Sequence, residues 1–114
     1  MTTNQIKDTL GATVICGNLT DKKIEGIVFA TDLMSSVLAR EENISVLITG
    51  LRNLQVIRTA EMLDVSCIIL ARGVEPAADM VETAKKSGIL VMKTPKTMYN
   101  ACGEIYMLDK SGED

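Results

Sequence analysis

The strongest constraint on the fold of this chain is a set of three short aliphatic runs that alternate with segments of helical periodicity. The runs cover residues 46–48, 65–70 and 89–92 and consist mainly of Val, Ile, Leu and Met. Apolar runs of this length without polar alternation are typical of strands buried on both faces. A single short helix between two such strands makes a crossover connection, which places the strands in parallel. The sequence therefore predicts an α/β fold with helices on both faces of a mostly parallel sheet.

Caps and breakers mark where the helices between these runs begin and end. Asn53 is a good N-cap for the helix after the first run, whose apolar positions form one stripe. Pro76 suits the first position of a helix that runs to Ser87, and Gly88 provides its carboxyl-terminal stop. This regular order of strand, cap, helix and stop supports the parallel arrangement.

The amino-terminal part of the chain has a different pattern. Thr3 is predicted to cap a helix over 4–10, and two strands follow at 13–16 and 24–30. Since only a polar turn separates these two strands, they can pair antiparallel. The sheet of about five strands would then be mixed rather than purely parallel.

Two further helices are predicted from their first residues. Thr31-Asp32 precedes a helical pattern over 33–40 and resembles an N-cap. Thr94-Pro95 opens the last helix, which Gly103 is expected to end, so that 105–107 forms a separate apolar piece.

Length and charge fit a single domain over 1–114, with a polar tail at 110–114 that is expected to fray. The net charge is −3, no basic stripe is present, and the chain has one Phe, two Tyr and no Trp. Duplex binding requires clustered cations and single-strand binding requires stacking aromatics, so no nucleic acid is expected as a partner. No stretch approaches the ~20 apolar residues of a membrane span, and the first residues are too polar for a signal peptide. We expect no membrane contact and a cytoplasmic location.

The cysteines give no sign of metal binding. Cys16, Cys67 and Cys102 are widely spaced, no C-x-x-C occurs, and the chain contains no His. A Cys/His metal site and a His-activated catalytic Cys are both excluded by this composition. We expect three reduced thiols, no metal and no cofactor.

The carboxyl ends of the predicted strands carry the residues that best suit a ligand site. In open α/β sheets, ligands bind beyond these ends, where helix N-termini also point. Here the ends combine small residues and hydroxyl groups with three cations, which together can hold an anion or a phosphate. The candidate ligand-binding residues are Thr31, Asp32, Thr49, Gly50, Arg52, Asn53, Arg72, Gly73, Lys93, Thr94 and Thr97.

A purely structural interpretation of the same residues stays open. Hydroxyl, amide and carboxyl side chains at strand-to-helix turns all suit helix capping. Arg52 or Arg72 can pair with Asp32 or Glu75 instead of with a ligand. The side-chain geometry decides between the two interpretations.

The motifs of common α/β enzymes are absent. There is no G-x-x-x-x-G-K-[ST] phosphate loop, no G-x-G-x-x-G dinucleotide segment and no G-x-S-x-G elbow. Asp32 is the only acid at the strand ends that could act as a base. We therefore expect a binding module without catalytic residues rather than an enzyme. A small phosphoryl- or acyl-transfer enzyme that uses Asp32 is a third alternative.

Two segments of the chain carry a resemblance to a known family. They are Leu47-Ile48-Thr49-Gly50-Leu51-Arg52 and Ile68-Ile69-Leu70-Ala71-Arg72-Gly73-Val74-Glu75-Pro76. In order and spacing they resemble the DRTGG domain, which is named for a Gly-Asp-Arg segment after one strand and a Thr-Gly-Gly segment after the next. Arg52 and Gly73 match that pattern. Leu51 stands where the family has Asp, and Ala71-Arg72-Gly73 stands where it has Thr-Gly-Gly.

The resemblance implies a three-layer α/β/α fold similar to the amino-terminal domain of HPr kinase/phosphorylase, whose catalytic phosphate loop lies in its other domain. The family also occurs between regulatory CBS domains of some pyrophosphatases and in certain phosphotransacetylases. We therefore expect a non-catalytic regulatory or accessory module that binds a phosphate- or nucleotide-type ligand at the strand ends. The alternative is a pure interaction or dimerisation module that docks a partner enzyme.

A homodimer is also expected, from this resemblance and from the surplus of Met and other apolar residues in a small domain. The predicted interface is the last helix with Ile105-Tyr106-Met107, because the end of the chain has the fewest intrachain neighbours.

Overall fold

A computed structural model describes residues 1–111 and arranges them as a sheet flanked by helices. The helices are α1 (Thr3–Leu10), α2 (Met34–Leu38), α3 (Leu54–Leu63), α4 (Ala78–Ser87) and α5 (Met98–Ser111). The strands are β1 (Thr13–Cys16), β2 (Ile27–Ala30), β3 (Ile44–Thr49), β4 (Cys67–Leu70) and β5 (Leu90–Lys93). Within the described part of the chain, none of the helices combines the length and apolar character that crossing a membrane requires.

The five strands form one sheet in the order β1-β5-β4-β3-β2. The pairs β3–β4 and β4–β5 are parallel, as the aliphatic runs predict, and β2 also pairs parallel with β3. The edge strand β1 pairs antiparallel with β5, so the sheet is mixed. The predicted α/β fold with a mostly parallel sheet of about five strands is confirmed.

The predicted pairing of the first two strands with each other is wrong, because β1 and β2 lie at opposite edges of the sheet. The polar segment between them is not a tight turn but runs along the start of α1. There Thr20 N donates a hydrogen bond to Thr3 Oγ1 (2.7 Å), and Ile24 N donates one to Met1 O (2.9 Å). These bonds hold the segment against α1 and lead the chain to the far edge.

Two apolar layers, one on each face of the sheet, form the core. Successive residues of a strand point to opposite faces. Leu47 of β3 therefore packs in the layer with α2, α3 and α4, whereas Val46 and Ile48 pack in the layer with α1 and α5. Every residue of β4 is buried. Burial on both faces explains why these strands are continuous aliphatic runs in the sequence.

The predicted N-cap of α3 and the predicted stop of α4 are confirmed. The predicted start of α4 at Pro76 is wrong, since the helix begins at Ala78, and the predicted cap of α1 is wrong as well. Asn53 caps α3 with its side-chain oxygen, and Gly88 follows α4 in a left-handed conformation with φ of 70°. The cap of α1 is Thr2, whose hydroxyl oxygen accepts a hydrogen bond from Gln5 N (3.2 Å). Thr3 cannot serve as the cap because it is the first helical residue and is buried.

The helix α2 is shorter than the predicted range of 33–40, and Thr31 and Asp32 do not cap it. The N-cap position is Leu33, which makes no side-chain capping bond. Thr31 Oγ1 instead accepts a hydrogen bond from Leu33 N (3.0 Å), forming a local turn before the helix. The side chain of Asp32 turns toward the end of β3.

The helix α5 is continuous through Gly103, so the prediction that this glycine ends the helix and leaves 105–107 as a separate piece is wrong. Gly inside a helix costs about 1 kcal/mol relative to Ala. Ala101 and Ile105, both buried in the core, anchor the helix on either side of the glycine and outweigh that cost. Of the predicted frayed tail, 112–114 lies outside the described residues, and the part before it is the end of α5.

We predict that Gly17→Ala destabilises the protein more than Gly11→Ala. Both glycines have left-handed φ, of 88° and 58°, which costs an alanine about 1–2 kcal/mol. A Cβ on Gly17 would lie 2.5 Å from Leu90 Cα, whereas a Cβ on Gly11 meets nothing within 4 Å. The overlap adds about 1–3 kcal/mol. Urea unfolding of the two variants measures the difference, and equal losses would contradict the close packing of β1 on β5.

Candidate functional site

The carboxyl end of β3 is held by the carboxylate of Asp32. Its Oδ1 accepts hydrogen bonds from Thr49 Oγ1 (3.0 Å) and from Gly50 N (2.6 Å). Thr49 Oγ1 in turn accepts a bond from Leu51 N (3.1 Å). The backbone N–H groups of Gly50 and Leu51 are therefore bonded within the protein and do not point at a ligand.

The carboxyl end of β4 contains two successive residues with left-handed backbone. Arg72 has φ of 64° and Gly73 has φ of 65°. Arg72 N donates a hydrogen bond to Lys96 O (2.8 Å), and Gly73 N donates one to Thr94 O (2.7 Å). The two bonds tie this turn to the end of β5 and occupy its amide groups as well.

The guanidinium group of Arg72 lies against the backbone of Gly50. Its Nη2 is 3.4 Å from Gly50 O, and a Cβ added to Gly50 would lie 2.4 Å from the same Nη2. A side chain at position 50 would therefore displace the guanidinium from this place. Arg72 is exposed, so one side of its guanidinium group faces solvent.

Glu75 connects the other two predicted cations. Its carboxylate forms an ion pair with Lys93 Nζ, and its backbone carbonyl accepts a hydrogen bond from Arg52 Nη1 (3.0 Å). Among residues 1–111, neither Arg52 nor Arg72 has a carboxylate oxygen within 4.0 Å. The expected alternative, in which an arginine pairs with a carboxylate of Asp32 or Glu75, is therefore wrong, and Lys93 takes Glu75 instead.

Several candidate residues have structural roles. Thr94 is buried, and its Oγ1 donates to Leu10 O (2.8 Å). Thr97 Oγ1 accepts a hydrogen bond from Asn100 N (3.2 Å) at the start of α5, and Asn53 caps α3. The capping interpretation accounts for Thr97 and Asn53. Thr94 instead ties the end of β5 to the end of α1, and the prediction that Thr94-Pro95 opens the last helix is wrong, because α5 begins at Met98.

The structure thus brings the three predicted cations to one side of the sheet, where the turns after β3, β4 and β5 meet. We call Arg52, Arg72, Lys93 and Glu75 the rim cluster. Sequence reasoning missed Lys96, which lies in the same turn as Thr94 and forms an ion pair with Glu104 (3.1 Å). Lys96 lies between the candidate residues Thr94 and Thr97 in the sequence, and this position could have identified it.

Sequence reasoning also missed a groove that lies away from the rim cluster. It has a volume of about 990 Å³ and runs between the edge strand β2 and α5, with Val28, Ile48, Ile105 and Tyr106 among its lining residues. None of the candidate ligand-binding residues lines it. The groove forms because α5 does not cover the part of the sheet near β2. The position of α5 on the sheet is a tertiary feature that no local sequence pattern predicts.

The three thiols differ in their access to solvent, and all are free. Burial raises the pKa of the Cys67 thiol to about 12. Burial also raises the pKa of Cys16 and that of Cys102, which is only half-buried. Within the described residues, no group of three or more acidic, Cys or His side chains is placed to hold a metal ion.

We predict that Cys102 reacts with Ellman's reagent well before Cys67 in the folded protein. A thiol with a pKa of about 12 is ionised to about one part in ten thousand at pH 8, and only the thiolate attacks the reagent. The Cys67 rate is expected to rise about tenfold per pH unit, whereas Cys102→Ser removes the fast phase. Denatured protein supplies the total of three thiols, and a fast phase from Cys67 would contradict its burial.

Comparison with known proteins identifies the family to which this chain belongs. The DRTGG domain matches residues 5–108. A crystal structure of the CBS and DRTGG domains of the regulatory region of Clostridium perfringens pyrophosphatase, complexed with its activator diadenosine tetraphosphate, is similar, with a TM-score of 0.75 and 29% sequence identity. The similarity covers 91% of this chain and 45% of that one, so this chain spans less than half of the regulatory-region chain that it matches. No curated protein matches the chain. The match over 5–108 shows that the chain belongs to the DRTGG domain family.

Proposed function

We propose that this domain is a non-catalytic regulatory module that binds a phosphate-bearing ligand, of the nucleotide type, at the rim cluster. In the turns after β3 and β4, the N–H groups of Gly50, Leu51, Arg72 and Gly73 are already bonded within the protein. The ligand would therefore be held by the side chains of Arg52 and Arg72 rather than by an amide nest. Charged guanidinium groups form strong, directional bonds to phosphate oxygens, which suits this arrangement.

The observation that carries the proposal is the conformation of Arg72. Its φ of 64° is one that glycine adopts freely and other residues adopt at a cost of about 1–2 kcal/mol. The DRTGG pattern has Gly at this position, so the chain replaces the residue that fits the backbone with one that is strained. Such strain clusters at ligand sites, where the side chain has a use that outweighs the cost.

The regulatory part of the proposal draws on the similar structure, which is a regulatory region of an enzyme bound to an activator. Diadenosine tetraphosphate is a chain of phosphates between two nucleosides, the class of anion that two exposed arginines would bind. Because the similarity covers only 45% of that regulatory-region chain, we propose an enzyme as partner without assigning its activity. Three free thiols suit the reducing cytoplasm, where we place the protein.

Dimerisation is a second candidate function, and exposed apolar residues on α5 favour it. Tyr106 and Met107 are 64% and 73% exposed, whereas Ile105 is buried and belongs to the core. Of the predicted interface residues 105–107, only Tyr106 and Met107 are exposed enough to contact a second copy. Burial of such side chains across a two-fold axis is a common way to form a dimer.

We predict that Arg72→Gly weakens ligand binding while leaving the fold at least as stable. Relief of the left-handed strain favours the variant, and the added freedom of the unfolded chain offsets part of that gain, so the free energy of unfolding rises by about 0–1 kcal/mol. Loss of charged hydrogen bonds worth about 1.5–3 kcal/mol should raise the Kd ten- to hundredfold. Titration calorimetry with diadenosine tetraphosphate, ATP and pyrophosphate measures the Kd, and urea unfolding measures the stability.

Arg58→Ala is the matched control for charge. Arg58 is exposed on α3 and pairs with Glu61 (3.8 Å), away from the rim cluster. Its loss should change the Kd by less than about twofold, because an exposed charge that does not contact the ligand is screened by water and salt. If Arg72→Gly binds as tightly as the wild type, or if the wild type binds none of these anions, the rim cluster is not a phosphate site.

We predict that Glu75→Gln strengthens the binding of the same ligands. The variant removes a carboxylate that pairs with Lys93 and would repel a phosphate. At roughly 7 Å in water, one unit of repulsion is about 0.6 kcal/mol, so the Kd should fall about threefold at low salt. Glu82→Gln on α4, where Glu82 pairs with Lys86 (3.4 Å), is the control with the same change of charge. Equal effects of the two substitutions would show a general charge effect and no role for Glu75.

A further inference from the structure

The groove beside β2 has features that the proposed ligand site does not use. It is bounded by the edge strand β2 on one side and by the carboxyl-terminal half of α5 on the other. Val28 is partly exposed in it above the buried side chains of Ile48 and Ile105, and Tyr106 is an exposed aromatic neighbour. Parallel α/β sheets are normally covered on both faces. Part of the face near β2 is left uncovered here.

The backbone of β2 offers unused hydrogen-bonding groups at the same place. Ile27 N donates to Asn43 O (2.8 Å), and Thr31 N donates to Ile48 O (3.0 Å). The residues of β2 alternate in direction along a parallel ladder, so 27, 29 and 31 face β3. The N–H and C=O groups of Val28 and Ala30 consequently point away from the sheet, and both residues line the groove.

We propose that a second copy of this chain pairs its β2 antiparallel with this edge, about a two-fold axis at Phe29. In that register Val28 faces Ala30 of the second copy, and each such pair exchanges two hydrogen bonds. Phe29 faces its own counterpart at the non-hydrogen-bonded position between the two pairs. The two sheets join into one continuous sheet, and the open edge of β2 disappears.

The charges around the groove favour a second copy over a strongly acidic or basic partner. Lys23 and Lys110 supply two positive side chains to the groove, and Glu25 and Asp109 supply two negative ones. A two-fold interface must be complementary to itself, and a balanced set of charges allows opposite signs to meet. Ile27, 36% exposed, adds apolar surface at the same edge.

This inference rests on the dimerisation given above as the second candidate function, and it is independent of ligand binding at the rim cluster. It assigns the interface to β2 and the groove, with Tyr106 at its border. An interface confined to the outer surface of α5 would leave the outward groups of Val28 and Ala30 unpaired. The two arrangements predict different cross-links.

The test is oxidative cross-linking of Phe29→Cys. At the two-fold axis the two residues at position 29 have Cα atoms about 4.5 Å apart, which suits a disulfide. Copper phenanthroline oxidation should therefore yield a covalent dimer on a non-reducing gel. In the matched control Ile27→Cys, each new cysteine lies about 13 Å from its counterpart along the strand and should not form a disulfide with it. The wild type, oxidised in parallel, accounts for the native thiols.

A second pair of variants tests the same edge without a new cysteine. Ala30→Pro removes an outward N–H, which edge strands tolerate, and should weaken dimer affinity at least tenfold in analytical ultracentrifugation. Ala30→Ser keeps that N–H and should remain dimeric. Circular dichroism and thermal unfolding check that each variant is folded.

The outcomes separate the inference from dimerisation itself. A wild type that sediments only as a 12.3 kDa species at tens of micromolar overturns both. A dimer that Ala30→Pro leaves intact, or one that cross-links through position 27 but not through position 29, overturns the β2 pairing alone. A cross-link at position 29 together with dissociation of the Ala30→Pro variant supports it.

Discussion

The parallel pairing of β3 with β4 and of β4 with β5 is the constraint on which the rest of the structure depends. Parallel strands end on the same side of a sheet, so the turns that follow them meet there without any shared sequence motif. Arg52, Arg72 and Lys93 come from turns about twenty residues apart in the sequence, yet they gather around Glu75 and Gly50 for this reason. Burial of the strands on both faces fixes their register, because a slip of one residue would exchange the two apolar layers.

The polar groups of these turns are divided between holding the fold and facing solvent. Backbone amides and hydroxyls are used internally, as with Asp32 on Gly50 N and Thr94 on Leu10 O. Guanidinium groups are left at the surface, and one of them belongs to a residue with strained backbone. A residue that does not suit its local backbone conformation, in a sequence that is otherwise consistent with its fold, tends to occur where function requires it. Arg72 is such a residue, since the residue suited to φ of 64° is glycine.

The sequence predicted the middle of the fold well and its first third poorly, for a physical reason. In β3, α3, β4 and α4 the apolar pattern, the cap and the stop lie within a few residues of one another, so local signals suffice. The antiparallel partner of β1 is β5, far away in the chain, and no local pattern specifies it. The predicted start of the last helix at Thr94-Pro95 failed for a similar reason, because the Thr94 hydroxyl bonds to Leu10 O, 84 residues away, and α5 begins only at Met98. The continuity of α5 through Gly103 depends on buried contacts of Ala101 and Ile105, which override helix propensity.

The two proposed surfaces are linked by one short segment. At the end of β2, the backbone N–H and C=O groups of Ala30 point away from the sheet. Two residues later, the Asp32 carboxylate accepts a hydrogen bond from Gly50 N (2.6 Å), and the Arg72 guanidinium contacts the carbonyl of the same glycine. Pairing at the β2 edge and ligand binding at the rim cluster would thus act on opposite ends of the same connection. Thermodynamic coupling between them requires that this segment have two arrangements with different affinities for ligand or partner. The hydrogen bonds that Asp32 Oδ1 accepts define one arrangement, in which the β3 turn is fixed and Gly50 O lies within reach of the Arg72 guanidinium. A second arrangement would have to release them, so the Asp32 carboxylate is the group through which either surface could influence the other.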